Sequence, residues 1–174
     1  MELTTDIILQ GTAWNTAIEK LSNIFSTRTN YSIFLLCTAI GIMYDKRISK
    51  PEENGEETKN VPRNVMQNND NGKLDFMYQA AILTTLTENI TEEQRLELAF
   101  GDDEKDNNNQ NKNGNKKMAL LVEFANYGVT ELVKYIGETQ LESMDNIKDF
   151  LESTVEGRNF DIDALPDDVL LDDE

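Results

Sequence analysis

The sequence predicts an all-α protein, a compact bundle of five to six helices with two flexible polar loops and an acidic C-terminal tail. Apolar residues recur every three or four positions in several long segments, and no convincing strand pattern is found. One long run with almost no charge, Tyr31–Arg47, needs other helices to cover it. The helical domain is predicted to span 1–156, with loops at 49–72 and 101–117, and the tail to span 157–174.

Charge is concentrated at the C-terminal end. The chain has 33 acidic and 16 basic residues, and residues 138–174 alone have 13 acidic and two basic residues, a net charge of −11. This disfavours direct binding to nucleic acid or an anionic membrane, because both need a cationic surface. The single Cys37 and the lack of histidine exclude an internal disulfide and cysteine-based zinc clusters, and we expect no cofactor and no metal.

The N-terminal segment and the apolar run both predict a cytoplasmic protein, and the Asn- and Lys-rich composition indicates a bacterial or phage-like one. Residues 1–10 contain acidic residues and no basic stretch, unlike a secretory signal. The run Tyr31–Tyr44 has 14 residues, and crossing the hydrocarbon core takes about 20. A buried helix is therefore predicted, not a membrane span.

The first half of the chain predicts two helices and a loop. Thr12 is a candidate N-cap for a helix whose apolar stripe ends at Phe25, and the segment Leu3–Leu9 fits either a helical turn or a short strand. The central helix follows and is stopped by Pro51. Beyond it, residues 49–72 contain little apolar sequence and predict a flexible loop.

The second half predicts four helices. Thr91 and Thr139 each begin a capping box, the first leading to a helix that ends near Phe100 and the second to one that fades near Ser153. Gly128, in the helix Met118–Glu138, would let a neighbouring helix approach closely. The remaining residues predicted for apolar faces are Leu74, Met77, Ala81, Leu83, Leu86, Leu96, Ala99, Leu141, Met144, Ile147, Phe150 and Leu151.

Candidate catalytic groups are weak. Cys37 lies within an apolar helix and is interpreted as a core residue with a raised pKa. The stretch Asp102–Asn107 starts like a calcium loop but lacks glycine at its sixth position and glutamate at its twelfth, which are Asn107 and Asn113. The chain is therefore predicted not to be an enzyme, with a small carboxylate-metal enzyme kept as an alternative.

Two helices resemble a known group of proteins. Tyr31–Arg47 and Leu121–Ile136 are similar to small helical proteins encoded beside DNA phosphorothioation (Dnd-type) and related anti-phage defence operons. The second motif of that group has an E-x-A-N-x-G core, matched here by Glu123, Ala125, Asn126 and Gly128. The resemblance covers about 33 of the 174 residues and implies an accessory subunit.

These observations predict a non-enzymatic accessory subunit that contacts a larger protein of a bacterial anti-phage defence or DNA-processing complex, or its own copies. The alternatives are an acidic DNA mimic that inhibits a DNA-binding protein and the metal enzyme named above. The tail either solubilises the protein or docks on a partner. The predicted partner-binding residues are Glu123, Asn126, Gly128, Phe160, Ile162, Leu165, Val169, Leu170 and Leu171.

Overall fold

A computed structural model describes residues 4–25, 29–51, 58–86, 89–101 and 110–155. Within these ranges the chain is mostly helical, with seven α-helices and one small two-stranded sheet. The elements are β1 (Ile7–Gln10), α1 (Thr12–Leu21), α2 (Thr29–Tyr44), β2 (Thr58–Val61), α3 (Arg63–Asn69), α4 (Lys73–Thr84), α5 (Glu92–Phe100), α6 (Gln110–Leu132) and α7 (Gln140–Val155). A short 3₁₀ helix, Val133–Tyr135, follows α6. The all-α prediction is confirmed in broad terms, but five to six helices was too few.

The sheet corrects the expectation from the apolar patterns, which showed no convincing strand and left Leu3–Leu9 open between a helical turn and a short strand. β1 and β2 pair antiparallel, with Ile7 opposite Val61, and the side chains of β1 alternate between buried and exposed. Of the two alternatives for the N-terminal segment, the strand is the one observed. β2 contains a single apolar residue, Val61, so its pairing with a distant segment could not be read from its own sequence.

The predicted loop at 49–72 is wrong for residues 58–69, which form β2 and α3. Asp70 explains why this polar segment is ordered. Its carboxylate accepts hydrogen bonds from the Tyr31 hydroxyl (2.8 Å) and from the backbone N–H of Leu74 (2.9 Å). Asp70 therefore links α2 to the first turn of α4, and Met66 of α3 is fully buried beside them.

Helix α1 begins differently from the prediction. Gly11, not Thr12, is its N-cap, with φ of 115°, a conformation that favours glycine and lets the chain turn from β1 into α1. The helix ends at Leu21, so Phe25 lies beyond it although its side chain still packs against the core. Trp14 and Leu21 are completely buried.

Helix α2 is the centre of the core, as predicted, but it ends at Tyr44 and not at Arg47. Asp45 adopts a left-handed conformation (φ 49°) and donates its N–H to the Ile42 carbonyl, while Lys46 donates to the Gly41 carbonyl. This pair of bonds is a Schellman motif. The Asp45 carboxylate also accepts from Thr85 Oγ1 (2.6 Å), which ties the end of α2 to the end of α4.

Both predicted capping boxes are present. Thr91 and Gln94 exchange hydrogen bonds at the start of α5, as do Thr139 and Glu142 before α7. Helix α7 extends to Val155, slightly beyond the predicted end.

Three other helix boundaries were wrong: apolar spacing predicts Asn89 as the end of α4, and Met118 and Glu138 as the two ends of α6, which itself ends at Leu132. Helix α4 stops at Thr84, where the Arg95 guanidinium donates to the Ile82 and Thr85 carbonyls at 2.5 and 2.7 Å. Helix α6 begins at Gln110, so the loop predicted at 101–117 is wrong for 110–117, while 102–109 lie outside the described residues. Across the described ranges, no helix has the length and apolar character that a membrane span requires.

Candidate interaction site

Helices α2 and α6 meet backbone to backbone through two glycines. A Cβ added at Gly41 would lie 2.6 Å from the Phe124 carbonyl carbon, and one added at Gly128 would lie 2.6 Å from the carbonyl carbon of Cys37. Real Cβ atoms essentially never come within 3.0 Å of such neighbours. The close approach predicted for Gly128 is therefore present, and Gly41 matches it from the other helix.

Asn126 joins three parts of the chain in the interior. Its Oδ1 accepts a hydrogen bond from Trp14 Nε1 of α1 (3.0 Å), and its Nδ2 donates to the carbonyls of Ile48 (3.4 Å) and Ser49 (3.1 Å). Asn126 and Gly128 are both buried, so in this conformation neither presents surface to a partner. Their role in the described structure is internal support.

Glu123 lies about one turn before Asn126 in α6, at the surface. Its carboxylate is 3.7 Å from the Arg47 guanidinium and is partly exposed, and its backbone carbonyl accepts from the Ile48 N–H at 3.1 Å. The Arg47 guanidinium also lies 5.5 Å from the centre of the Phe124 ring. Partner binding at Glu123 stays a prediction.

A cleft of about 480 Å³ opens beside Glu123, between the segment Asp45–Ser49 and Tyr127 of α6. Lys46 Nζ lies 5.4 Å from the centre of the Tyr127 ring, and the edge of the Tyr44 ring meets the same ring with centroids 5.9 Å apart. The Tyr127 hydroxyl donates to Glu131 Oε1 (3.0 Å), and Lys134 donates to both Glu131 oxygens at 2.8 Å.

This network stabilises ordinary charge states. Burial and the Glu131 acceptor raise the pKa of the Tyr127 hydroxyl to about 12. Burial alone would raise the pKa of Glu131, but the hydrogen bonds from Lys134 and Tyr127 outweigh it, and the net shift is downward. The hydrogen bond with Glu131 raises the pKa of Lys134. The phenol, carboxylate and ammonium are thus each held away from a proton-transfer role near neutral pH.

The Tyr127 hydroxyl should make stability fall at alkaline pH. Because its pKa is about 10 when unfolded and about 12 when folded, its contribution is complete below pH 10 and is lost as the pH rises through 12. We expect the urea midpoint of Tyr127→Phe to fall less across this interval than that of the wild type. Tyr44→Phe is the control: the neighbouring Tyr44 hydroxyl contributes least among the causes that raise the Tyr127 pKa, so this variant should keep most of the wild-type decline. Identical alkaline profiles for all three proteins would contradict this assignment.

The other candidate groups from the sequence are the Cys37 thiol, a metal site, the calcium-like stretch and the tail residues. Cys37 is completely buried at the contact with α6, and burial raises the pKa of its thiol well above the ordinary value. Within the described ranges, no group of three or more His, Cys, Asp or Glu side chains is placed to hold a metal ion. The stretch Asp102–Asn107 lies outside those ranges. So do the predicted tail contacts Phe160, Ile162, Leu165, Val169, Leu170 and Leu171.

The α4–α5 hairpin has an exposed apolar surface that the sequence did not predict. Six large apolar side chains there are exposed, including Phe76 (70%), Leu86 (90%) and Phe100 (60%). We call this set the hairpin surface, and it consists of Phe76, Leu83, Leu86, Leu96, Leu98 and Phe100. The core face of α4 is formed instead by Leu74, Tyr78, Ala81 and Ile82. The sequence did contain a signal for this surface, because α4 and α5 have more apolar residues than one buried stripe on each helix can include.

No protein-family model, curated protein or solved structure matches this chain. Function is therefore inferred from the chemistry of its own surface.

Proposed function

We propose that this protein is a non-enzymatic accessory subunit that works through protein–protein contacts in a bacterial anti-phage defence or DNA-processing complex. The hairpin surface carries this proposal: Phe76 and Leu83 lie two turns apart on α4, α5 adds three more exposed apolar side chains, and large apolar patches on a protein surface mark interaction sites. Aromatic residues are enriched at interaction hot spots, and Phe76 and Phe100 are the two aromatic members of this surface. The link to defence systems rests on the resemblance of α2 and α6 described above.

The proposal is tested by recovering the tagged protein from its native host. A partner should copurify with the wild type and with Glu93→Ser, an exposed polar change on α5. It should be lost from Phe76→Ser combined with Phe100→Ser, whose circular dichroism should match the wild type because both side chains are mostly solvated. Mass spectrometry of the partner checks the link to defence or DNA processing. A monomer without a partner, or a partner retained by the double variant, would reject the proposal.

The alternative of a DNA mimic has one observation in its favour. Four carboxylates on α7, those of Glu142, Asp145, Asp149 and Glu152, are exposed and separated by three or four residues. Such spacing places successive charges about 4.5–6 Å apart along a rigid helix. Competition between this protein and duplex DNA for the recovered partner separates the two functions, since a mimic competes and an accessory subunit that binds elsewhere does not.

A further inference from the structure

An apolar groove runs between the chain that follows α1 and the outer shoulder of α7. Its volume is about 300 Å³, room for side-chain anchors but not for a whole helix. Met144 and Leu151 on its α7 wall remain 49% and 36% exposed. We call this the α7 groove, and its apolar lining is Ile24, Phe25, Met144, Ile147 and Leu151.

Ile24, Phe25 and Ile147 of the α7 groove also pack against the core, whereas its exposed wall, Met144 and Leu151, is separate from the contacts that hold α7 in place. Phe150 is buried and stacks on the Tyr135 ring with centroids 4.2 Å apart, and Ser143 is buried and accepts a hydrogen bond from the Gly137 N–H. These two residues lie on the inner face of α7. Met144 and Leu151, on the adjacent shoulder, are therefore not needed to close the core.

Negative charge borders this groove. Glu152 lines it, and Asp145 and Asp149 continue around the solvent side of α7. Lys148, the one basic residue of α7, also lines the groove, and its ammonium lies 3.5 Å from the Glu152 carboxylate, so these two charges offset each other. Residues 138–174, which include α7, have 13 acidic and two basic residues. The groove thus combines an apolar lining with a helix, α7, that has four acidic residues and one basic residue.

We propose that the α7 groove binds a cationic amphipathic helix of a partner protein. Apolar residues on consecutive turns of that helix would enter the groove, and its Lys and Arg residues would meet the carboxylates of α7. The chain's own tail fits less well, because its residues 159–174 contain seven acidic residues and no base. A second copy would likewise bring an acidic α7. This partner chemistry goes beyond the proposed function and does not depend on the hairpin surface.

The test uses the full-length protein and two synthetic helical peptides. Both peptides have leucine at helical spacing, and their polar positions are lysine in one and glutamine in the other. Calorimetry at low and moderate salt measures their affinity for the wild type, for a groove variant (Met144→Ser with Leu151→Ser) and for a hairpin control (Phe76→Ser with Leu86→Ser). The control removes the same number of exposed apolar side chains from another surface.

The wild type should bind the lysine peptide at least about tenfold more tightly than the glutamine peptide. The groove variant should lose about tenfold in affinity for the lysine peptide, and the hairpin control should lose less than about twofold. If the groove variant binds the lysine peptide as tightly as the wild type does, the peptide is held by charge attraction alone, and the proposal is overturned. Equal binding of the two peptides would also overturn it.

Two further measurements test the competing occupants. If Phe160→Ser combined with Ile162→Ser strengthens peptide binding about tenfold, the tail occupies the groove, and the proposal fails. If sedimentation shows a dimer that the groove variant loses, a second copy occupies the groove, and the proposal also fails. Each of these failures leaves the hairpin surface and the proposed function unaffected.

Discussion

Gly128→Ala should destabilise the protein by about 2–3 kcal/mol, although the same change in an open helix is favourable by about 1 kcal/mol. The new methyl group would collide with the backbone of Cys37, which cannot rotate away as a flexible side chain would. Helices α2 and α6 would have to separate along their whole contact. Urea unfolding followed by circular dichroism measures the loss.

Gly41→Ala tests the same contact from the other side. We expect a similar loss, and the double variant should cost less than the sum of the two, because one separation of the helices relieves both collisions. Ala39→Leu is the matched control, since Ala39 lies on the exposed side of α2 and a larger side chain there should change stability by less than about 0.5 kcal/mol. A Gly128→Ala protein as stable as the wild type would contradict the backbone contact.

Asn126→Ala should cost about 2–3 kcal/mol, because it leaves the buried indole N–H of Trp14 without its acceptor. The carbonyls of Ile48 and Ser49 lose a donor at the same time. Trp14 is the single tryptophan of the chain, so its fluorescence reports the site directly. We expect both a lower urea midpoint and a changed emission spectrum.

Two comparisons sharpen this expectation. Asn68→Ala, on the exposed side of α3, should leave stability and tryptophan emission unchanged. In a Trp14→Phe background the indole donor is absent, so Asn126→Ala should cost less there than in the wild type. An equal cost in both backgrounds would mean that the hydrogen bond from Trp14 contributes nothing.

Features specified by neighbouring residues could be predicted from the sequence. The capping boxes at Thr91 and Thr139 need only a threonine and a polar residue three positions later, and both formed. Helix α2 followed from an uninterrupted apolar run. The close approach at Gly128 followed from a glycine on an apolar helical face.

Features that depend on distant partners could not be predicted. β2 is ordered by β1, and α3 is held in place through Asp70. The position of Asn126 shows the same limit, because a polar residue in a helix is usually exposed and only the fold places Trp14 beside it. Asn126 was predicted as a partner contact and is observed as an internal connector.

The same difficulty affected the candidate surfaces. Helical spacing identifies apolar residues but does not say which of two adjacent faces the core will cover. In α7, Met144, Phe150 and Leu151 were all assigned to one buried stripe, whereas only Phe150 is buried. The uncovered residues form the α7 groove.

The bond between Trp14 and Asn126 joins positions 112 residues apart, and this has a consequence for how the chain folds. Most helical bundles fold quickly because neighbouring helices pack first. Here the central pair, α2 and α6, is separated in the described chain by one strand and three helices. A large loop must therefore close before α2 and α6 can pack at Gly41 and Gly128, and closing it costs conformational entropy. The rate of folding is therefore expected to resemble that of proteins with long-range pairing more than that of simple bundles.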